Sequence, residues 1–301
     1  MTETMNRDVV TEVRGQIGFI TLNRPKALNA LTLQMVRDLM ACLLAWRDDP
    51  AICAVAVRGS NKDGVFGAFC AGGDIRFLHQ AALAGNPEIE DFFTEEYALN
   101  HLIHSYPKPY IAFMDGIVMG GGMGISQGAA LRLVTERTKM AMPETAIGLF
   151  PDVGGGYFLS RCPGKVGEYL ALTGDAVSPV NAVAWGLADV LVDSTTLPAL
   201  WEGLANTPFT TAEDVLQWLA SKSIAKSAGG SCATGQFDAY FSHADALGIL
   251  QALEAAKSDD WATTTAATLR KRSPLMVAVV LEQIRRARDM TLADDLRMER
   301  D

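Results

Sequence analysis

Twice in this chain a buried apolar run breaks into a cluster of glycines and then resumes as a helix. The first run is AICAVAVRG (51–59), whose following loop ends in CAGGD (70–74). The second is PYIAFMD (109–115), followed by MGGG (119–122). Strand, glycine turn and helix make up the unit of an α/β core. Apolar runs bounded by turn residues form buried strands, and glycine permits the tight reversal into a helix. Each turn also leaves backbone N–H groups unobstructed near a helix start, where the peptide dipoles favour negative charge. Two such N–H groups aimed at one point would form an oxyanion hole for a carbonyl.

The remaining patterning extends this unit along the chain. Residues 8–13 and 16–22 read as a strand pair, and a helix opens at Thr32 and runs to just before Pro50. Helices are expected near 75–83, 88–104, 122–129, 154–161, 165–173 and 179–186, and strands at 131–135 and 188–192. From about residue 195 the strand signal vanishes, and helical pieces are punctuated by SAGGSCATG (227–235) and Ser273-Pro274. The expectation is an α/β core over 1–194 with a mainly helical C-terminal region over 195–301 packed on it. No internal repeat stands out at periods of about 20–50 residues.

With 301 residues, 49% of them hydrophobic, the chain can bury a full core. A net charge of −9 argues against nucleic acid or an anionic membrane surface as partner. A polyanionic ligand must then be held by local Lys, Arg or backbone N–H groups. Cys42, Cys53, Cys70, Cys162 and Cys232 form no CxxC pair and no zinc spacing, which points to reduced thiols in the cytoplasm. The opening MTETMNRDVV has neither a signal core nor transit-peptide character. Residues 109–131 carry one charge, Asp115, and are long enough to span a bilayer, but their six glycines suit a buried strand, a turn and a packed helix better.

Three motifs have plainer readings. Gly124-Ile-Ser126-Gln-Gly128 matches a nucleophile elbow, yet Ser126 falls inside the expected helix and only His243 lies downstream, so Ser126 reads as a small packing residue. Gly122 to Gly128 approaches a dinucleotide fingerprint with Glu144 twenty residues after Gly124, but the spacing is GxGxxxG. His101 and His104 have no acid or cysteine at ligand spacing, so no metal is expected; Cys70 reads as packing.

The succession GFITLNRPKALNAL (18–31), FCAGGDI (69–75), KPYIAFMDGIVMGGGMG (108–124) and MPETAIGLFPDVGGGYFLSR (142–161) resembles the crotonase (enoyl-CoA hydratase/isomerase) superfamily, most closely its 3-hydroxyisobutyryl-CoA hydrolase branch. The resemblance implies a crotonase-like ββα spiral core. It implies an oxyanion hole from the N–H groups of Gly73 and Gly121, and CoA held along Pro25–Leu28 (Lys26, Ala27, Leu28) and Ala71–Ile75 (Ala71, Asp74, Ile75). Where hydratases carry a glutamate after the glycine triplet, this chain has Gly124; it keeps Glu144 and adds Asp152, the hydrolase pattern. Glu144 and Asp152 are thus the implied catalytic pair, and Glu96, Gly121, Glu144 and Asp152 the implied substrate contacts.

The implied reaction is hydrolysis of a short branched β-hydroxyacyl-CoA thioester in valine breakdown, with CoA as part of the substrate, no further cofactor and no metal. A homo-oligomer, trimer or hexamer, is also implied. The alternatives are an enoyl-CoA hydratase or isomerase, and a CoA-binding protein without turnover. Read plainly, Glu144 could complement a helix N-terminus, Asp152 could be an N-cap, and Glu95 is a solvated neighbour of Glu96. Members of the branch run on beyond the segment resembling LADDLRMERD, which here ends at Asp301.

Overall fold

The computed structural model describes residues 7–62, 64–222 and 234–301. Cys232 and most of the break at 227–235 lie outside them, as do the first six residues of the N-terminal stretch. In chain order the first elements are β1 (Val9–Arg14), β2 (Ile17–Leu22), α1 (Leu33–Arg47), β3 (Ala54–Gly59), α2 (Ile75–Ala84), α3 (Glu88–His104), β4 (Tyr110–Met114), β5 (Ile117–Met119), α4 (Gly121–Gln127), β6 (Leu131–Thr135) and β7 (Lys139–Ala141). There follow α5 (Gly155–Ser160), α6 (Val166–Thr173), α7 (Pro179–Ala184), β8 (Val190–Val192), α8 (Leu197–Asn206), α9 (Ala212–Ala220), α10 (Gly235–Phe241), α11 (Ala246–Ala255), α12 (Asp260–Leu269), α13 (Pro274–Ala287) and α14 (Leu292–Arg300). By packing, the described residues form two compact units, 7–139 with 188–222, and 140–187 with 234–301.

The first unit is built on a mixed sheet of order β1-β2-β3-β4-β6-β8, in which β1 and β2 are antiparallel and every later pair is parallel. Parallel strands covered on both faces lose the polar alternation of half-exposed strands. Accordingly all of β4 and nearly all of β3 are buried. β3 starts later than the apolar run suggests because Ala51–Cys53 turn after Pro50, with the Ile52 N–H donating to the Asp49 carbonyl at 3.2 Å. The apolar span 109–131 divides into β4, β5 and α4, and no helix among the described residues is long and apolar enough to cross a membrane.

One face of the sheet packs on α8 and α9 through Leu197, Leu200, Leu204, Val215 and Leu219. Trp201 is the hub of that layer. Its ring lies 4.7 Å from Phe19 and 5.2 Å from Phe113, centroid to centroid, and the Arg58 guanidinium sits 4.3 Å over it. These contacts join α8 to β2, β3 and β4, so one side chain ties a late helix to three early strands.

The second unit is helical. α13 packs on α5 and α6, and α14 packs on α5. Tyr169 of α6 stacks against Phe237 at 4.8 Å and Trp261 at 5.4 Å, joining α6 to α10 and α12. Glu168, wholly buried, pairs with Lys165 at 2.9 Å and Arg288 at 3.0 Å. Replacing Trp201 by alanine should destabilise the protein by about 3–5 kcal/mol, the range for removing a buried aromatic, which equilibrium unfolding in urea will measure.

Candidate active site

The turn after β2 depends on an asparagine. Leu28 and Asn29 are both left-handed, with φ of 50° and 57°, a conformation that costs most residues energy but that asparagine tolerates. Asn29 is fully buried, and its side chain makes three hydrogen bonds. Its Oδ1 accepts from the Arg24 N–H at 2.8 Å, and its Nδ2 donates to the carbonyls of Ser60 at 2.8 Å and Ala68 at 2.9 Å. The turn carrying Lys26, Ala27 and Leu28 is thereby tied to the end of β3 and to the loop entering the first glycine turn. Lys26 and Leu28 stay exposed and Ala27 half-buried.

The two glycine turns meet. The Cys70 N–H donates to the Ile117 carbonyl at 2.9 Å, and the Met119 N–H returns to Cys70 at 3.0 Å. On the other side Ala71 donates to Leu28 at 3.0 Å, Leu31 to Gly72 at 2.8 Å and Asp74 to Leu31 at 2.9 Å. These bonds lock three segments in register. The amide nitrogen of Gly73 comes within 3.3 Å of where a Cβ on Gly121 would stand. Gly121 is the first residue of α4, so its N–H is one of the helix's orphan donors. The residue before it, Gly120, has φ 49° and ψ −121°, a conformation natural to glycine alone.

Gly73, Gly121 and Glu96 are brought together. Glu96, on α3 and only 2% exposed, places its Oε1 against Gly121, in space a Cβ there would occupy. One helical turn earlier, the Phe92 ring edge lies 3.2 Å from the same position on Gly73. Glu95 is not simply solvated: Arg37 holds it in a fork, Nη2 to Oε1 at 2.7 Å and Nε to Oε2 at 2.8 Å. Asp74 caps α2 by accepting from the N–H groups of Arg76 and Phe77 and pairs with Arg24 at 2.6 Å. Burial opposes its charge, but Arg24 and the two amides outweigh it, and the carboxyl sits below its ordinary range. Its visible work is thus to hold the loop. Ala71 is half-buried and Ile75 is 52% exposed.

The other two predicted residues, Glu144 and Asp152, belong to the second unit. Glu144 opens a 3-10 turn after Pro143 and is 8% exposed, and its Oε2 has no hydrogen-bond partner among the described residues. Burial, and then the charge of Asp152, push its carboxyl up to about 8, against a smaller opposing pull from its own backbone N–H. Asp152 is half-buried on the turn before α5. It is not the N-cap of that helix: Gly154 holds the cap position, with φ 84° and no side-chain cap. The α5 amides are satisfied from α14. Glu299 accepts from Gly154 at 2.9 Å and Gly156 at 3.2 Å, and Asp295 accepts from Tyr157 at 2.6 Å.

The rival motifs resolve simply. Ser126 is buried inside α4, its Oγ donating to the Gly122 carbonyl at 2.8 Å as a helix-lining hydroxyl. Burial pushes the Cys70 thiol up to about 12, which makes it unreactive. His101 and His104 lie exposed near the end of α3. Sequence reading missed Asn29 as an organiser and Asp295 and Glu299 as caps. Leu292, Asp295, Leu296 and Glu299 repeat at helical spacing as the buried face of α14, so two acids share a stripe with two leucines. That stripe was the available signal.

Known proteins resemble this chain over most of its length. The family described as "Enoyl-CoA hydratase/isomerase" matches residues 17–301. The chain is 42% identical over 302 residues to a mitochondrial 3-hydroxyisobutyryl-CoA hydrolase of Rattus norvegicus, covering 98% of this chain and 77% of that one. It is 38% identical over 288 residues to 3-hydroxyisobutyryl-CoA hydrolase 1 of Arabidopsis thaliana, covering 93% and 75%. Among solved structures, a carnitinyl-CoA dehydratase from Mycobacterium thermoresistibile superposes with a TM-score of 0.87 at 38% identity, over 98% of this chain and 84% of that one.

Because folding raises the Glu144 pKa from its ordinary 4.5 to about 8, the folded state holds a proton that the unfolded chain releases. That contribution to stability is full below pH 4.5 and is lost as the pH rises through about 8. Glu144→Gln, which cannot ionise, should therefore gain stability over wild type by about 1–3 kcal/mol at alkaline pH, and little at pH 4–5. Urea unfolding at several pH values checks both the sign and the window.

Proposed function

The chain belongs to the enoyl-CoA hydratase/isomerase (crotonase) family, and from that membership we infer that it hydrolyses 3-hydroxyisobutyryl-CoA to 3-hydroxyisobutyrate and free CoA. It is a thioester hydrolase of the 3-hydroxyisobutyryl-CoA hydrolase type, an activity that fits valine catabolism. The observation that carries the reading is the buried carboxyl of Glu144, raised in pKa and without a hydrogen-bond partner on its Oε2 among the described residues, with Gly124 buried in α4 where a hydratase would present its other glutamate. Adding water across a double bond is usually attributed to two carboxylates flanking that water. Splitting a thioester needs one carboxylate and a stabilised oxyanion.

The proposed roles follow from each residue's setting. The N–H groups of Gly73 and Gly121 receive the thioester oxygen and hold its negative charge as the carbonyl becomes tetrahedral. Glu144, once ionised, takes a proton from water or attacks the carbonyl itself; both routes need the carboxylate. The tetrahedral adduct then collapses and the C–S bond breaks. By the first route the leaving sulfur takes the proton that Glu144 removed from water. By the second the acyl group left on Glu144 as a mixed anhydride is hydrolysed by water, whose protons go to the thiolate and to solvent. Both routes end in the free acid, CoA thiol and a regenerated carboxylate. Asp152 orients the water or holds the substrate's 3-hydroxyl, and Glu96 accepts from that hydroxyl beside Gly121. CoA lies along Lys26, Ala27, Leu28, Ala71, Asp74 and Ile75, and exposed Lys26 supplies a local positive charge on an acidic protein. A trimeric or hexameric assembly is part of the proposal. So is a reducing compartment, the cytoplasm, in keeping with the free thiols of Cys42, Cys53, Cys70 and Cys162.

The wild-type protein should release CoA thiol from 3-hydroxyisobutyryl-CoA and not from a long-chain acyl-CoA, measured with a thiol reagent. Glu144→Gln should lower kcat by about 10²–10⁴-fold. Loss of an enoyl chromophore without thiol release would instead identify a hydratase, and binding without either signal would identify a CoA-binding protein.

The pH profile supplies a second prediction. Only the ionised Glu144 is active, so kcat/KM should climb as the pH rises and level off above about 8, the pKa of this group in the free protein. Glu144→Gln should abolish that ascending limb.

A further inference from the structure

The turn that carries Asp152 is held by a buried acid pair from the far end of the chain. Val153, directly after Asp152, has φ 54° although it is β-branched and 3% exposed. Gly154 follows at φ 84°, where a Cβ would come within 2.7 Å of Leu292. A strained valine persists only when its surroundings over-determine it. Here the surroundings are α14 and α13. Glu299 grips the amides of Gly154 and Gly156 with its two oxygens, and Asp295 grips the amide of Tyr157. Gln283 of α13 completes the brace, its Nε2 donating to the Pro151 carbonyl at 2.7 Å and reaching the Glu299 Oε1 at 3.3 Å. The residues on either side of Asp152 are therefore both anchored, Pro151 by Gln283 and the 154–157 amides by the acid pair.

Ordinary helix capping does not account for the choice of residues. A serine or aspartate at position 154 would cap α5 locally, whereas this chain buries two carboxyls, Asp295 wholly and Glu299 at 7% exposure. Such burial is costly unless the groups are hydrogen-bonded. Burial first, and then the charge of Asp295, push the Glu299 carboxyl well above its ordinary range, and burial pushes Asp295 up to about 6. What that cost secures is a rigid turn.

We propose that Glu299 and Asp295, braced by Gln283, are positioning residues for Asp152, setting the direction of its carboxylate by clamping the turn 151–157. The inference rests on the assignment of Asp152 to the reaction. They touch no reacting atom, so their effect passes through Asp152 alone.

The test is a double-mutant cycle read by thiol release from 3-hydroxyisobutyryl-CoA, together with amide hydrogen exchange. Glu299→Gln puts an NH₂ where an acceptor is needed. It should lower kcat by about 10- to 100-fold with little change in KM, and have less than about twofold further effect once Asp152→Asn is present. Gln283→Leu, a milder variant that keeps the volume, should show the same pattern at smaller size. In Glu299→Gln the amides of Gly154 and Gly156 should exchange at least about tenfold faster, while those of β3 and β4 keep their protection.

Unchanged kcat in Glu299→Gln, or equal losses with and without Asp152, overturns the proposal. So does unfolding of both variants, which would make the cluster a structural clamp only. If Asp152→Asn alone turns over at the wild-type rate, the role assigned to Asp152 is what fails; faster exchange at Gly154 and Gly156 would still establish the clamp.

Discussion

One buried amide organises the sheet-based unit. Asn29 accepts one hydrogen bond and donates two, and the three partners lie in three separate segments: the turn after β2, the end of β3 and the loop before the first glycine turn. The Ser60 and Ala68 bonds are buried, so leaving either unmade would cost about 1–3 kcal/mol in desolvation. The packing is close enough that a Cβ on Gly59 would run into the Ala68 and Phe69 carbonyls. The Leu31–Gly72 and Ala71–Leu28 bonds extend the same arrangement to the first glycine turn, and the Cys70 bonds to Ile117 and Met119 carry it to the second.

The helical unit works by a different economy of charge. One of its wholly buried acids, Glu168, has two cations beside it. Glu144 has none in hydrogen-bond contact among the described residues, and the charge that acts on it, that of Asp152, is of the same sign. Arginines are present in this unit, but their heads are used elsewhere: Arg161 donates to the carbonyls of Ala287 and Met290, and Arg272 to that of Thr173. Keeping positive charge away from Glu144 lets burial raise its proton affinity toward neutrality, which suits the base proposed for it.

Much of the fold was legible in the sequence, for physical reasons that differ between elements. α3 runs from Glu88 to His104, as its apolar spacing and the Lys108-Pro109 step require. β4 and β6 fall where their apolar runs predict. β5 was not legible, because three residues between Gly116 and Gly120 offer no periodicity to read. Of the site, the two glycine turns were legible as strand–turn–helix units, whereas their meeting beside Glu96 was not, because no spacing along the chain shows that two turns converge. Asn29 was not legible either, since it acts across long sequence separation on backbone atoms, and the helical stripe that includes Glu299 signals its burial but not the distant amides it holds. Asp74 was assigned to CoA, and its hydrogen bonds to Arg24 and two amides show a second task that composition and spacing cannot express.

The link between Gly154 and Glu299 spans 145 residues of chain. During synthesis, at about 5–20 residues per second, Asp152 is made on the order of 10–30 s before Glu299 exists. Through that interval the strained Val153 turn has no clamp, and nothing local replaces it, since the cap position of α5 is a glycine. The nascent chain can build its sheet and glycine turns early, while the setting of Asp152 waits for α14 to dock. The turn that carries Asp152 is thus completed only by a segment made long after it.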